Sequence, residues 1–214
     1  MFSPPRTAPR PNTLARRPYA ATRTKINLTR LRRMTPRQPV AFSRSLRVAR
    51  NQADLLLQHA AQSNTGPINA IARTPKVRVD YVVGQRLHGA SFWDTHARQW
   101  VIQINQDSHW KQQLFAIAHE FKYVLDYRHN DLLYQGSPTR SAICEAHCAA
   151  SYFARYLLVP DDPLIDAVSS GTTDADDLAD RFGVTEDVIC ERLQDLQLSI
   201  EPGARPLVAR GSCE

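Results

Sequence analysis

The first helical period in the chain is SRSLRVARNQADLLLQHAAQ (43–62), where Leu46, Ala49, Ala53, Leu56, Leu57 and Ala60 return to one face. Ser43 stands where an N-cap belongs, so the stretch is predicted as a core helix. NTGP breaks it, INAIAR supplies a short helical turn, and the pattern then changes to alternation. VRVDYVV reads as one strand; GASFW and QWVIQIN read as two more, joined as a hairpin through the polar DTHAR. A small antiparallel sheet is therefore expected ahead of the next helix. That helix spans about 108–127, with Leu114, Ile117, Ala118, Phe121 and Leu125 on its buried face and His119 and Tyr123 on an adjoining stripe. After the polar RHNDLLYQGSPTR comes a further helix, SAICEAHCAASYFARYLLV, which Pro160 ends. DDP follows, then an acidic helical pair, DADDLADRFGV and TEDVICERLQDLQL, with Gly183 at the break and Thr185 as its cap. No internal repeat is present.

Composition adds limits. With 214 residues and 43% hydrophobic content, the chain can bury one substantial core, with a small appendage. It has no apolar run long enough to span a membrane and no apolar signal core at its start, so an intracellular, cytoplasmic protein is expected. Cys144, Cys148, Cys190 and Cys213 are too few for a disulfide framework and read as reduced thiols.

Charge is segregated along the chain. Residues 1–50 hold thirteen Arg or Lys and no acid, whereas the rest holds fourteen bases and all twenty-one acids. Residues 1–40, rich in Pro and Arg, are expected to form a disordered basic arm. Such an arm suits contact with nucleic acid or another polyanion, and equally a solvated tail or a transit segment. Translation from Met34 instead of Met1 would remove most of it. The acidic pair has the look of a helix-turn-helix, but from Thr172 to Glu201 nine acids oppose only Arg181 and Arg192, which repels phosphate. It reads as a packing subdomain.

The chemistry concentrates in AHEFKYVLDYR (118–128). Two histidines four apart on a helix share a metal from one face, and a glutamate after the first serves as general base, giving HExxH. Here His119 and Glu120 are present, and Tyr123 holds the second histidine position. A third ligand belongs on the following helix, where Glu145 and His147 are candidates. At about 100° per residue these two point in nearly opposite directions. His147 shares its stripe with Ala150, Ser151, Ala154 and Leu158, a small-residue surface suited to close helix contact; Glu145 shares its own with Ala149, Tyr152 and Tyr156. His147 is therefore expected to face His119, the alternative being an ordinary hydrogen-bonded histidine. Cys144, Cys148 and His129 are reserve ligands.

With these motifs in hand, the chain resembles the ImmA/IrrE family of metallopeptidases. LFAIAHEFKYVLDY and AHCAASYFARYLLVP match the family's FxLAHEFKHxLDH and AExxCDYFAxxLLMP, in order, and the likeness extends over about 38–200. It implies an α+β zincin-like fold: a metallopeptidase domain at 41–160, an acidic helical subdomain at 161–202, and a tail at 203–214. It puts His119 on the first metal ligand and Glu120 on the general base. Two positions depart from the pattern: Tyr123 replaces the second histidine, and His147 stands where the family supplies glutamate. A His119, Tyr123 and His147 set would hold Zn2+, with Mn2+ or no metal as alternatives. QWVIQIN resembles the family's substrate-pairing edge strand, which makes Trp100, Ile102 and Ile104 substrate-binding candidates. The implied activity is cleavage of a repressor or other regulatory protein. The alternative is a catalytically inactive relative that binds such a partner.

Overall fold

The computed structural model describes residues 26–172 and 174–198. The long apolar periods form the helices that carry the core. These are α2 (Phe42–Gln62), α4 (Trp110–Asp126) and α6 (Ala142–Leu158), with the short α5 (Asn130–Leu133) between the last two and α4 packed against both α6 and the sheet. Ser141 caps α6 by accepting from Cys144 N at 3.2 Å. Pro160 ends α6, as its missing N–H requires. α2 starts differently from the expectation: Ala41 is the N-cap and makes no side-chain cap, while Ser43 lies inside the first turn.

A short α3 (Pro67–Ala72) leads into β1 (Val77–Val82), followed by β2 (Gly89–Asp94) and β3 (Gln99–Asn105). β2 and β3 form the expected antiparallel hairpin, Trp93 lying opposite Trp100. β1, however, pairs parallel to β3, so the sheet is mixed, in the order β1-β3-β2. This also corrects the expectation of QWVIQIN as an edge strand. β3 has a neighbour on each side, its Ile102 and Ile104 are fully buried, and only the ring of Trp100 reaches a surface hollow. The edge strand beside α4 is β2.

The N-terminal boundary moves as well. α1 (Leu28–Arg32) is capped by Asn27, which accepts from Arg30 N at 2.8 Å, and Ile26, Leu28 and Leu31 are buried in the main core. Arg32 donates to the carbonyls of Leu125 and Val124 at 3.1 and 2.5 Å, satisfying two orphan acceptors at the end of α4. The segment 26–40, expected within the arm, is thus part of the fold. Residues 1–25, with the expected nucleic-acid contact, and the tail with Cys213 lie outside the described residues.

Beyond α6 the chain builds a second, smaller core. α7 (Asp161–Ser169) forms where DDP reads as a break; Pro163 falls in its first turn, where proline is tolerated. α8 (Ala175–Phe182) ends at Gly183 in the left-handed conformation, φ 67°. α9 (Glu186–Asp195) starts at Thr185, whose side chain makes no capping bond. Leu164, Leu178, Val184, Ile189 and Leu193 fill this core, and Phe115 packs against both cores. Arg192 is almost fully buried; it donates to Val159 O at 3.0 Å and pairs with Asp161 and Asp195. Among the described residues no helix is long and apolar enough to cross a membrane.

Candidate active site

α4 and α6 lie side by side, and their facing stripes bring three predicted residues together. The His119 ring centroid is 4.9 Å from that of His147 and 5.1 Å from that of Tyr123. Tyr123 Oη stands 3.4 Å from His147 Nδ1, a long hydrogen bond. His119 Nε2 is buried and finds no hydrogen-bond partner among the described residues, while its Nδ1 lies 3.6 Å from Glu120 Oε1. Burial of a ring nitrogen without a partner is costly, so this atom calls for explanation.

Glu120 closes the cluster from the sheet side. It is buried, and Ser91 Oγ on β2 donates to its Oε2 at 2.8 Å. Gly89, two residues earlier on the same face, lets the strand pass close: a Cβ there would sit 3.0 Å from Glu120 Cγ. Both residues escaped the sequence reading. The signal was the period of two in GASFW, which puts Gly89, Ser91 and Trp93 on one face of β2.

The electrostatics follow from burial. The Tyr123 phenol is pushed up to about 12, first by desolvation and then by the nearby Glu120 and Cys148, so it is a neutral phenol at physiological pH. His147 presents part of its ring to solvent; burial of the remainder lowers its pKa, the neighbouring His119 lowers it further, and Glu120 opposes both.

The reserve ligands part company. Glu145 is buried on the other side of α6, accepting from Gly136 N at 3.0 Å, and does not face His119. His129 lies past the end of α4, in the electrostatic reach of Arg32 and Asp126. Cys144 sits in the first turn of α6, and half-buried Cys148 is near Tyr123. Among the described residues no three His, Cys, Asp or Glu side chains are arranged to hold a metal. A three-donor set at this place requires the phenol of Tyr123.

His119, Glu120, Tyr123 and His147 open into a cleft of about 620 Å3. Its far wall comes from the second core: Thr185, Asp187, Val188 and Glu191 line it, and Arg155 of α6 pairs with Glu191 at 2.8 Å.

Residues 77–194 match the family model of Peptidase M78, described as the IrrE N-terminal-like domain. The match runs from β1 into α9 and contains every residue of the cluster. No curated protein sequence matches. Among solved structures, a Mycobacterium tuberculosis transcriptional regulator is similar with a TM-score of 0.54 and 18% identity, over 84% of this chain and 54% of that one. The likeness is one of fold, and the chain spans about half the length of that protein.

Proposed function

This chain belongs to the Peptidase M78 family of IrrE N-terminal-like domains, and from that premise we propose that it is a metal-dependent endopeptidase that cleaves a repressor or other regulatory protein. His119 and His147 would hold the ion, with Tyr123 as third protein donor. The observation that carries this reading is the buried Nε2 of His119 beside the His147 ring, a nitrogen that makes no hydrogen bond among the described residues. Imidazole donors suit Zn2+, with Mn2+ as the alternative. When bound, such an ion polarises a carbonyl and lowers the pKa of water.

The chain's own groups account for the rest. Glu120 takes a proton from the attacking water and returns it to the leaving amine nitrogen. Ser91 fixes one carboxylate oxygen and so leaves the other turned towards His119. An extended peptide pairs its main chain with the open edge of β2, which has no strand neighbour on that side among the described residues. The regulatory substrate follows from the family resemblance, and the description of the M. tuberculosis protein as a transcriptional regulator is in keeping with it.

Elemental analysis of the purified protein tests this. About one ion per chain is expected, lost in both His119→Ala and His147→Ala. A second reading is favoured by Tyr123: a neutral phenol bonded to His147 suits a relative that has lost its metal and kept its partner surface. Absence of metal from the parent protein, with uptake by Tyr123→His, would decide for that reading.

A further inference from the structure

Next to the main cleft lies a second hollow of about 600 Å3, which shares Glu120 and Tyr123 with it. Rings form much of its wall, with Ser91, Thr95 and Asn130 completing it. Trp93 on β2 and Trp100 on β3 form a cross-strand pair with centroids 5.6 Å apart, edge to face. Trp100 meets Tyr127, at the end of α4, at 4.8 Å in the same manner. Trp100 is 6% exposed and acts as a fixed floor; Trp93 and Tyr127 are 40% and 59% exposed and stand as open flanks. Phe121 and Phe153, by contrast, are fully buried in the core.

We propose that this hollow is a side-chain subsite that takes an aromatic residue of an extended peptide, close to the bond that is cleaved. The inference rests on the peptidase reading above and adds its specificity. Ring chemistry selects the occupant. No basic residue lines the hollow, and its one carboxylate, Glu120, sits at the junction with the cleft, accepting from Ser91 through one oxygen with the other near His119. Ring walls instead favour a planar apolar group, which gains edge-to-face contact beyond its area burial. Register sets the location. Ser91 and Trp93 are on the face of β2 that looks towards α4, two residues apart. A peptide paired with the open edge of β2 directs alternate side chains to that face, one towards Glu120 and the next towards Trp93. The subsite therefore belongs to a residue within about two positions of the scissile bond.

The test uses the full chain and blocked alanine pentapeptides bearing Phe, Leu, Lys or Ala at the centre. Binding is followed by titration while monitoring the tryptophan indole resonances, and hydrolysis is followed separately by mass spectrometry. The Phe peptide is expected to bind about tenfold tighter than the Ala peptide and to shift the Trp93 resonance. Trp93→Ala and Tyr127→Ala change exposed rings and are expected to keep the fold, checked by melting, and to abolish the preference. Equal affinity for all peptides, preference for Lys, no measurable binding of the Phe peptide, or a Phe preference that survives both variants would each overturn the subsite. Aromatic-selective binding without cleavage leaves the subsite standing and removes the peptidase reading. Cleavage without aromatic preference does the reverse.

Discussion

Ser91 Oγ donates to Glu120 Oε2 at 2.8 Å, so a strand residue orients the carboxylate that helix α4 carries. Without it Glu120 keeps its place but loses one fixed orientation. In Ser91→Ala, peptide hydrolysis is expected to fall about tenfold with little change in KM, since the lost bond acts on the proton-transfer group and not on peptide binding. Steady-state kinetics check the split.

Gly89 makes a stronger demand on the same carboxylate. An added methyl meets Glu120 Cγ at 3.0 Å and Ala116 and Ile104 at 3.4 Å, and the flexible glutamate is what yields. Gly89→Ala is expected to displace Glu120, costing about 1–2 kcal/mol of stability and more activity than Ser91→Ala. Urea unfolding alongside kinetics separates the two effects.

Lys122 is wholly buried in the middle of α4, with both Asp126 oxygens within 2.6 Å and Tyr134 Oη donating to the same carboxylate at 2.5 Å. Lys122→Met leaves a buried carboxylate with only the phenol as partner and is expected to destabilise the protein by about 3 kcal/mol, whereas the double variant with Asp126→Leu recovers much of that loss. Denaturant midpoints of the single and double variants measure it.

A chain begun at Met34 would lack Ile26, Leu28 and Leu31 from the main core and the Arg32 bonds at the end of α4. The expected loss is roughly 5 kcal/mol, from three aliphatic side chains at about 1.5–3 kcal/mol each. Hydrogen exchange should show the last turn of α4 opening first. Full protection of that turn in the shortened chain would refute the assignment.

His129 gives a pH dependence. Burial, then Arg32, lowers its pKa in the folded state, with Lys122 and Arg128 adding and Asp126 opposing. The unfolded chain therefore takes up this proton first as pH falls through about 6.5. The contribution to stability is present above that value and is lost on acidification towards the folded pKa; His147, lowered as well, acts in the same sense. The melting temperature is expected to drop between pH 7.5 and 5.5, and His129→Gln should flatten the slope.

The helices were legible because a period near 3.6 survives in α2, α4 and α6 whatever surrounds them. The same periodicity separates Glu145 from His147: the first turns to Gly136 and the second lies beside His119. Strand direction was not legible, because alternation carries no polarity, and so the parallel pairing of β1 went unseen. The central place of β3 did leave a trace in the unbroken buried run of Trp100, Val101 and Ile102, which a one-faced edge strand does not show. α1 was hidden among arginines and prolines, and α7 behind Asp-Asp-Pro, where composition suggested no order. The period of two showed which face Ser91 shares but not its partner Glu120, and the α9 wall likewise comes from contacts between distant segments, which no local pattern encodes.

The cleft takes its floor from one hydrophobic core and its far wall from the other. Val188 and Glu191 of the wall rest on the smaller core, while His119 and Glu120 rest on the larger. Such units open locally with their own free energies. Transient opening of the small unit would unroof the cleft while the histidine pair stays in register, so the groove can come apart without global unfolding of the chain.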